Sequence, residues 1–507
     1  MLNLKKNEFI NEIKKGLIPP LYVEIPYTEP FKIYELYCRY YLGNQRNSLL
    51  LESSKGNFKI ARFSFITFSP FITIQAKDGS LEVSGLDNAS NIAFSAKPLR
   101  MLKDIIVSYP QKFLPEIPPF QGGAIGCLSY DFVRYIEKIP KTAIDDLHIP
   151  DAHFLIVDTV ISFDHYQKKA WVVLSPGAKA IVNKKNDILS SDWGEIYDAS
   201  EKIISDICDV INNTSYKINE TDSHTLKESN SSNSIINYEM TKEQYMDIVR
   251  KAKKYIASGD IFQANLSQRI SAYIGAKDTW ELYKILRKIN PSPFAVYADL
   301  GDYQVVSSSP ERLIRVMNNV IDTRPIAGTR PRGSDINEDE LMRKELLLNE
   351  KERAEHIMLI DLERNDIGRV SKYGTVSVDE LMITEDYSHV IHIVSNIRGL
   401  LQDGKTCLDV LRATFPGGTI TGVPKVRCME IIDELEPVQR GLYTGSFGYV
   451  SFAGNMDMNI IIRTFIVKNG FAYVQAGAGI VADSDPEREY YETLKKAEAL
   501  IKTIKLL

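Results

Sequence analysis

The sequence predicts an α+β fold with mainly antiparallel β-sheets and surrounding helices. Residues 17–165 consist of short aliphatic and aromatic segments separated by glycine-containing turns, which is typical of strands joined by short connections. Residues 236–507 mix strands and helices, but they lack the regular strand–helix–strand alternation of a doubly wound parallel sheet. These two observations favour antiparallel sheets.

The composition is that of an ordinary globular protein. The chain has 507 residues, of which 44% are hydrophobic and 25% are charged, and its formal net charge is -5. A weakly acidic chain has no general attraction for nucleic acid or for anionic membranes. The N-terminal sequence is not a signal peptide, no apolar run approaches a membrane span, and the five cysteines are scattered. We therefore expect a cytoplasmic protein with reduced thiols and no nucleic-acid or membrane partner.

The first part of the chain is predicted to be mostly strand. Its clearest candidate strands cover residues 48–52, 61–65, 71–76 and 154–163. A helix is predicted over 195–211, and the polar, low-complexity stretch 212–235 then predicts an exposed linker. This linker is expected to separate an N-terminal region, residues 1–211, from a C-terminal region, residues 236–507.

Helices and strands alternate irregularly in the C-terminal region. Its first helix has an apolar stripe on one face and can be capped by Thr241. The segments that follow are a strand over 261–270, a helix over 279–289 and strands over 294–300 and 303–309. The last helix is predicted over 484–505, where Ser484 or Asp485 can cap it and Pro486 suits its first position.

Two of the predicted helices carry paired glutamates. Glu489 and Glu492 are three residues apart and share one face of the last helix, and Glu352 and Glu355 repeat this spacing in K-E-R-A-E-H. Two carboxylate pairs that meet across a cleft could hold Mg²⁺, which keeps water or substrate in its remaining positions. The alternative is that acidic residues early in a helix only complement its dipole.

Six segments of the C-terminal region contain small or polar residues at positions where they would be unfavourable in an apolar core. They are Gln263, Glu311 and residues 325–333, 388–395, 415–425 and 475–484. Their glycines allow a ligand to approach the backbone, although each cluster taken alone needs no ligand. Arg330, Arg463 and Lys496 can add positive charge. With Glu311 as an acid and His392 nearby, the segments predict a cleft for a small anionic substrate that loses a leaving group.

Several long motifs of the C-terminal region resemble the chorismate-utilising enzymes. The motifs are P-I-A-G-T-R-P-R-G, A-E-H-I-M-L-I-D-L-E-R-N-D-I-G-R-V, S-H-V-I-H-I-V-S, G-V-P-K-V-R-C-M-E-I-I-D-E-L-E-P and D-P-E-R-E-Y-Y-E-T-L-K-K-A. The family includes anthranilate synthase component I, aminodeoxychorismate synthase component I, and the isochorismate and salicylate synthases. The resemblance covers residues 240–503 and, more faintly, 17–165. It implies an anthranilate-synthase-like fold of two packed β-sheets with helices outside.

The resemblance also implies a cofactor and a set of site residues. The implied Mg²⁺ ligands are Glu355 and Glu492, with Glu352 and Glu489 beside them. The implied chorismate contacts are Gly328, Thr329, Arg330, Tyr449, Arg463, Gly477, Ala478, Gly479 and Lys496. The implied catalytic residues are Gln263, Glu311, Thr329 and His392. Glu311 is expected to protonate the leaving hydroxyl, and His392 is expected to assist the elimination of pyruvate.

Two positions distinguish between the reactions of the family. Members that use water have a lysine at the position of Gln263, whereas glutamine cannot act as a general base at neutral pH. Aminodeoxychorismate synthases usually have a nucleophilic lysine at the position of Ala327. The chain is therefore expected to aminate chorismate at C2 with ammonia and to eliminate pyruvate. The product would be anthranilate, in the first step of tryptophan biosynthesis.

Other residues resemble the aminodeoxychorismate branch. They are Asn265 and residues 416–422 and 456–464. Aminodeoxychorismate synthase component I, or an enzyme that serves both pathways, is therefore an alternative. A protein that only senses chorismate or tryptophan is a further alternative, although Glu311, His392 and the paired glutamates argue against it.

Two short elements resemble the tryptophan-sensing site of anthranilate synthases. They are L-L-E-S at 50–53 and N-P-S-P-F at 290–294. The implied tryptophan contacts are Glu52, Ser53, Pro293, Phe294 and Ala295, although family members usually have a methionine at the last of these positions. The N-terminal region is therefore expected to be regulatory and to contact a partner. Since no glutamine amidotransferase sequence is fused to the chain, ammonia is expected from a separate subunit, component II, in a heterotetramer.

Overall fold

The computed structural model describes residues 1–44, 46–57, 59–85, 93–94, 97–183, 188, 191–218, 235–333, 335–386 and 390–507. The helices are α1 (Lys6–Ile13), α2 (Pro30–Tyr34), α3 (Pro98–Ser108), α4 (Ala178–Val182), α5 (Trp193–Ile218), α6 (Lys242–Ala257), α7 (Thr279–Ile289), α8 (Ile336–Leu348), α9 (Glu350–Gly368), α10 (Cys407–Thr414), α11 (Lys425–Leu435) and α12 (Pro486–Leu506). A π-helix (Glu35–Tyr41) and two 3₁₀ turns (Tyr130–Tyr135 and Gly418–Ile420) complete the helical structure of these residues.

The strands are β1 (Leu21–Ile25), β2 (Ser48–Glu52), β3 (Phe63–Thr67), β4 (Ile72–Lys77), β5 (Ser80–Ser84), β6 (Ala93–Phe94), β7 (Gly123–Leu128), β8 (Ala152–Val157), β9 (Thr159–Asp164), β10 (Lys169–Leu174), β11 (Ile236–Tyr238), β12 (Gln263–Tyr273), β13 (Phe294–Asp299), β14 (Gln304–Ser309), β15 (Arg312–Met317), β16 (Val320–Thr323), β17 (Ile326–Pro331), β18 (Ser377–Asp386), β19 (Val390–Leu400), β20 (Gly422–Val423), β21 (Ser446–Ser451), β22 (Met456–Asn459), β23 (Thr464–Lys468) and β24 (Phe471–Ile480).

The described strands form two twelve-stranded sheets whose neighbouring strands run antiparallel. Sheet 1 has the order β1-β10-β9-β3-β2-β13-β14-β23-β24-β12-β11, with β20 beside β12. Sheet 2 has the order β17-β19-β16-β15-β22-β21-β7-β8-β4-β5-β6, with β18 beside β19. The predicted α+β fold with mainly antiparallel sheets is therefore confirmed.

The two sheets pack face to face. Leu49 and Val296 of sheet 1 belong to the same buried cluster as Ile125 and Leu155 of sheet 2. This arrangement buries one face of each sheet against the other, as in other two-sheet proteins. The segment 154–163, predicted as one strand, is divided between β8 and β9, because the chain passes from sheet 2 to sheet 1 at this point.

Both sheets contain strands from both sides of the predicted linker. β2 pairs with β13, where Glu52 lies opposite Ala295, and β7 pairs with β21. Helix α5 continues to Ile218, beyond the predicted end of this helix at residue 211. A helix that has already formed adds polar residues at little cost. The remainder of the linker up to residue 234 lies outside the described residues, and the division into regulatory and catalytic regions stays a prediction.

The helix ends follow the sequence signals. The Asp485 side chain accepts the backbone N–H of Arg488, with Pro486 in the first turn, and Thr241 forms a capping box with Gln244. The predicted first and last helices of the C-terminal region are therefore confirmed. Across the described residues, no helix is long and apolar enough to cross a membrane.

Candidate active site

A cavity of about 220 Å³ brings together side chains from several distant segments. We call it the active-site cavity, and its wall includes Asn265, Glu311, His392, Thr419, Tyr443, Arg463, Gly477 and Lys496. Five of these were predicted as site residues, and they come from β19, β24, α12 and the segments before β15 and β23. The cavity therefore places an acid, a histidine and two cations around one space.

Glu311 is a buried carboxyl group directly before β15. Its pKa is raised to about 7 by burial, although the hydroxyl of Thr419 and the positive charges of Arg463 and Lys496 favour the ionised form. The Thr419 hydroxyl donates a hydrogen bond of 3.1 Å to Glu311 Oε1. A carboxyl group with a pKa near 7 is partly protonated at neutral pH, so Glu311 can act as a general acid.

His392 is a buried neutral base. Its Nδ1 lies 3.1 Å from the carbonyl oxygen of Gly328. Because a carbonyl only accepts hydrogen bonds, Nδ1 carries the hydrogen and Nε2 is left as the acceptor nitrogen. Burial lowers the pKa of His392 to about 4, and the nearby Arg463 also lowers it. The imidazole is therefore neutral at pH 7 and can accept a proton.

Two cations lie in the wall of the active-site cavity. Lys496 Nζ donates to the carbonyl oxygen of Gly477 at 3.0 Å and lies 2.8 Å from Glu492 Oε1. Arg463 has a φ of 52°, in the left-handed region that residues with side chains rarely adopt. Its carbonyl oxygen accepts the Ser308 N–H at 3.1 Å. Such strained residues concentrate at functional sites, and the pair of cations suits an anionic substrate.

Gly328 and Arg330 lie on β17, which pairs with β19, and are not among the residues that line the cavity. Gly328 has a φ of +60°, and a Cβ there would lie 2.9 Å from Glu352 Oε2, so only glycine suits the position. Arg330 Nε donates to Glu345 Oε1 at 3.0 Å. Thr329 lies opposite His392 in the β17–β19 register. This strand therefore holds the His392 ring through the carbonyl oxygen of Gly328.

Gln263 begins β12 and lies beside the glycines of β24. Its Nε2 is 2.6 Å from the point that a Cβ on Gly479 would occupy. Ala478 is fully buried between Gly477 and Gly479. Since alternate residues of a strand face opposite sides, Ala478 points away from the face that its two neighbours share.

The structure contradicts the predicted contact between Tyr449 and chorismate. Tyr449 lies on β21 and its ring stacks on Phe120, with ring centroids 4.7 Å apart. It lines a different cavity, between the two sheets. Tyr443 lines the active-site cavity instead. The prediction failed because both tyrosines lie in one glycine-rich segment, where only the strand register decides which of them faces the substrate.

The four predicted magnesium ligands do not form a cluster in this structure. Glu352 Oε1 lies 3.4 Å from Arg330 Nη1, and Glu492 is paired with Lys496. Among the described residues, no group of three or more His, Cys, Asp or Glu side chains could hold a metal ion. Helix α9 packs on β17 and β19, whereas α12 packs on β24. In this arrangement a magnesium ion would have to displace Arg330 and Lys496 to reach two of the four glutamates.

Comparison with known proteins identifies the family. The family model described as chorismate binding enzyme matches residues 46–502. The chain belongs to the chorismate-binding enzyme family. It is therefore a chorismate-utilising enzyme, and the predicted resemblance is confirmed.

Relatives of this chorismate-binding enzyme carry two different names. Anthranilate synthase component 1 of Acetivibrio thermocellus is 44% identical, over 90% of this chain and 89% of the relative. Aminodeoxychorismate synthase component 1 of Bacillus subtilis (strain 168) is 41% identical, over 91% of this chain and 93% of the relative. The crystal structure of anthranilate synthase component I from Streptococcus pneumoniae TIGR4 matches with a TM-score of 0.73 and 36% identity, covering 87% of this chain and 92% of that chain.

A second cavity of this chorismate-binding enzyme, of about 240 Å³, lies between the two sheets. It is lined by all five predicted tryptophan contacts, which are Glu52, Ser53, Pro293, Phe294 and Ala295. Glu52 receives two hydrogen bonds from Arg287, at 2.8 and 3.0 Å, and one from the Tyr283 hydroxyl at 2.6 Å. Ser53 Oγ lies 2.8 Å from the carbonyl oxygen of Phe63 and 3.0 Å from that of Pro293.

Of the eight wall residues named above, three were not predicted as site residues. They are Asn265, Thr419 and Tyr443. The sequence holds a signal for two of them, since Thr419 and Tyr443 each lie next to glycine-containing turns, in P-G-G-T and G-L-Y-T-G. Asn265 lies inside β12, where an amide side chain is uncommon but does not by itself indicate a site.

Proposed function

We propose that this enzyme converts chorismate and ammonia to anthranilate and pyruvate. The observation that carries the proposal is the active-site cavity, where buried Glu311, a partly protonated acid, faces the same space as the neutral base His392. Arg463 and Lys496 supply the positive charge that the carboxylates of chorismate require. Ala327 on β17 offers no nucleophile for attack at the ring, which favours direct attack by ammonia.

The two side chains divide the proton transfers between them. Ammonia attacks C2, the two ring double bonds shift, and the C4 hydroxyl leaves as water after taking the Glu311 proton. The new ammonium group at C2 then returns one proton to Glu311. The aminated ring then loses its C2 hydrogen to Nε2 of His392 while the C3–O bond breaks. The departing enolpyruvyl group takes up the proton held by His392 and becomes pyruvate, and the ring becomes aromatic.

Amination at C4, giving 4-amino-4-deoxychorismate, is the second candidate, alone or together with the first. Two observations favour it: the relative from Bacillus subtilis named for this activity, and the position of Asn265 in the cavity wall. The two candidates share the acid and the cations and differ in the carbon that is attacked. The identity of the product therefore separates them.

The first prediction concerns this product. Purified enzyme with chorismate, Mg²⁺ and ammonium chloride is expected to form anthranilate and pyruvate in equal amounts, measured by fluorescence and by chromatography. Accumulation of 4-amino-4-deoxychorismate without pyruvate would favour the second candidate. Chorismate left intact, even with a glutaminase subunit added, would favour a binding protein.

We propose Mg²⁺ as the cofactor of this enzyme. The paired glutamates lie on α9, whose Glu352 touches the Gly328 position, and on α12, which contributes Lys496 to the cavity. Binding would require Arg330 and Lys496 to release their carboxylates. The same assay with EDTA in place of Mg²⁺ is therefore expected to show no product until Mg²⁺ is restored.

We propose that a separate glutamine amidotransferase subunit, component II, supplies the ammonia in a heterotetramer. The names of the relatives, component 1, imply a partner component. Cys127 is an unsuitable glutaminase nucleophile, because burial raises the pKa of its thiol to about 12. The five cysteines are free thiols, which fits the cytoplasm as the proposed location.

We propose further that L-tryptophan binds in the second cavity and inhibits the enzyme. All five predicted contacts line this space, and the cavity has both apolar walls and polar groups. Arg312 lines this cavity, whereas Glu311 lines the active-site cavity. Consecutive residues thus face the inhibitor and the substrate, which provides a short physical route between the two sites.

The second prediction tests this regulatory site. Ser53→Phe is expected to raise the inhibition constant for tryptophan by about 10- to 100-fold, because the larger ring fills the cavity. The measurement is the initial rate against tryptophan concentration, with exposed Ser258→Phe as the control. Unchanged inhibition in Ser53→Phe would remove Ser53 from the site, and a wild-type enzyme insensitive to tryptophan would remove the regulation.

A further inference from the structure

Asn265 presents a buried hydrogen-bond acceptor at the active-site cavity. Its side chain lines the cavity, and its Oδ1 is buried with no hydrogen-bond partner among the described residues. Buried polar atoms nearly always have a partner, and an unpaired one in a native structure calls for an explanation. The reaction steps described above leave this atom unused. An acceptor at the wall of a binding cavity can be completed by a ligand that donates a hydrogen.

The backbone of Asn265 is fixed on both sides. Its N–H donates to the carbonyl oxygen of Thr421 at 2.8 Å, and its carbonyl oxygen accepts Arg440 Nη2 at 2.6 Å. Arg440 is itself paired with Glu436 through two hydrogen bonds of 2.6 and 2.9 Å. The side-chain amide is therefore attached to a fixed segment of backbone, which pre-organises it for a ligand.

The neighbouring strand is built to leave room for this amide. A Cβ on Gly477 would lie 2.4 Å from Asn265 Oδ1 and 2.8 Å from the Tyr443 hydroxyl. Any other residue at position 477 would push the amide out of its place. Gln263, two residues before Asn265, faces the same side of β12 and lies beside Gly479 in the same way. Two carboxamides thus lie in a row along β12 above two glycines of β24.

We propose that Asn265 positions the attacking ammonia, with its Oδ1 accepting one N–H. Ammonia has three N–H donors and one lone pair, so an acceptor behind the molecule directs the lone pair towards the ring. A neutral amide suits this task because it accepts a hydrogen bond without binding the proton, whereas a carboxylate would favour ammonium, which has no lone pair. This inference rests on the proposed amination of chorismate and adds the residue that holds the nucleophile.

The third prediction separates this role from a structural one. Asn265→Leu, which has similar size but no acceptor, is expected to raise KM for ammonium about tenfold while KM for chorismate stays unchanged. Its melting temperature is expected to stay the same or to rise, since the substitution removes an unpaired buried acceptor. Asn265→Ala is the second variant, in case the branched side chain disturbs β12. Asn396→Leu on β19, whose amide pairs with Asp379, is the matched control and is expected to change neither KM.

The assay uses ammonium chloride at constant ionic strength and follows the aminated product. A rise in both KM values together, or a fall in melting temperature that follows the loss of rate, would overturn the proposal in favour of a structural role. A rise in KM for chorismate alone would assign Oδ1 to the substrate. An unchanged KM for ammonium in both variants would also overturn it. A wild-type enzyme that forms no aminated product would overturn the proposed function as well, so the two failures are distinguishable.

Discussion

Replacing Glu311 with glutamine is expected to lower the turnover of chorismate by about 10²- to 10⁴-fold, the usual contribution of a general acid. Glutamine keeps the size of the side chain and can still accept the Thr419 hydroxyl, but it has no proton to give to the leaving hydroxyl. The measurement is the rate of product formation at saturating chorismate and ammonium. The matched control is Glu340→Gln on α8, an exposed glutamate. A Glu311→Gln enzyme with wild-type turnover would assign the proton to another group.

The pH dependence of the reaction provides a second readout of Glu311. Because burial raises its pKa to about 7, the acid form is lost as the pH rises through that value. At a constant concentration of free ammonia, the wild-type rate is expected to fall about tenfold per pH unit above pH 7, while the profile of Glu311→Gln stays flat there.

The same pKa predicts how Glu311 affects stability. Its pKa in the folded protein lies above the ordinary value of 4.5, so its contribution to stability is present at low pH and is lost as the pH rises through about 7. At pH 8 Glu311→Gln is therefore expected to be at least as stable as the wild type. A lower melting temperature at pH 8 would indicate that the carboxylate has a structural role.

Replacing Arg440 with methionine is expected to destabilise the protein by about 3–5 kcal/mol. Arg440 and Glu436 form a buried ion pair, with side chains that are 1% and 3% exposed. Glu436 Oε1 also accepts the backbone N–H and the hydroxyl of Ser267, both at 2.8 Å, and Arg440 donates to the carbonyl oxygen of Ile420. Methionine would leave the Glu436 carboxylate buried without its cation, together with carbonyl groups that have lost their donor.

The measurement for Arg440→Met is the midpoint of denaturation in urea, followed by fluorescence. Arg250→Met is the matched control, because Arg250 is exposed and pairs with Glu243 and Asp247 on the surface of α6. The control is expected to keep the wild-type midpoint, since exposed ion pairs contribute little. A wild-type midpoint in Arg440→Met would show that the Arg440–Glu436 ion pair is not needed for the stability of the fold around β12.

The helices of this enzyme could be predicted from local sequence. The signals at Thr241, and at Asp485 followed by Pro486, act within one helical turn, so residues adjacent in sequence decide them. The irregular order of strands and helices was also sufficient to predict antiparallel sheets. Glu311 and His392 could be named in advance because the resemblance of their motifs to a known family carries chemical information that periodicity does not.

The tertiary structure decided which of these residues act together. Tyr443 and Tyr449 are six residues apart, yet one faces the active-site cavity and the other the cavity between the sheets. The pairing of β2 with β13 brings Glu52 opposite Ala295, and the pairing of β12 with β24 places Asn265 Oδ1 beside Gly477.

The sequence by itself determined the fold class, the helix ends and the chemical groups available for catalysis, because these depend on residues close together in the chain. Only the tertiary structure decided the strand order, the two cavities and the partners of the paired glutamates. Strand pairing gains its free energy from contacts between segments far apart in the sequence, and the register that results sets which side chains meet. No pattern within a single segment of the sequence therefore predicts the strand register.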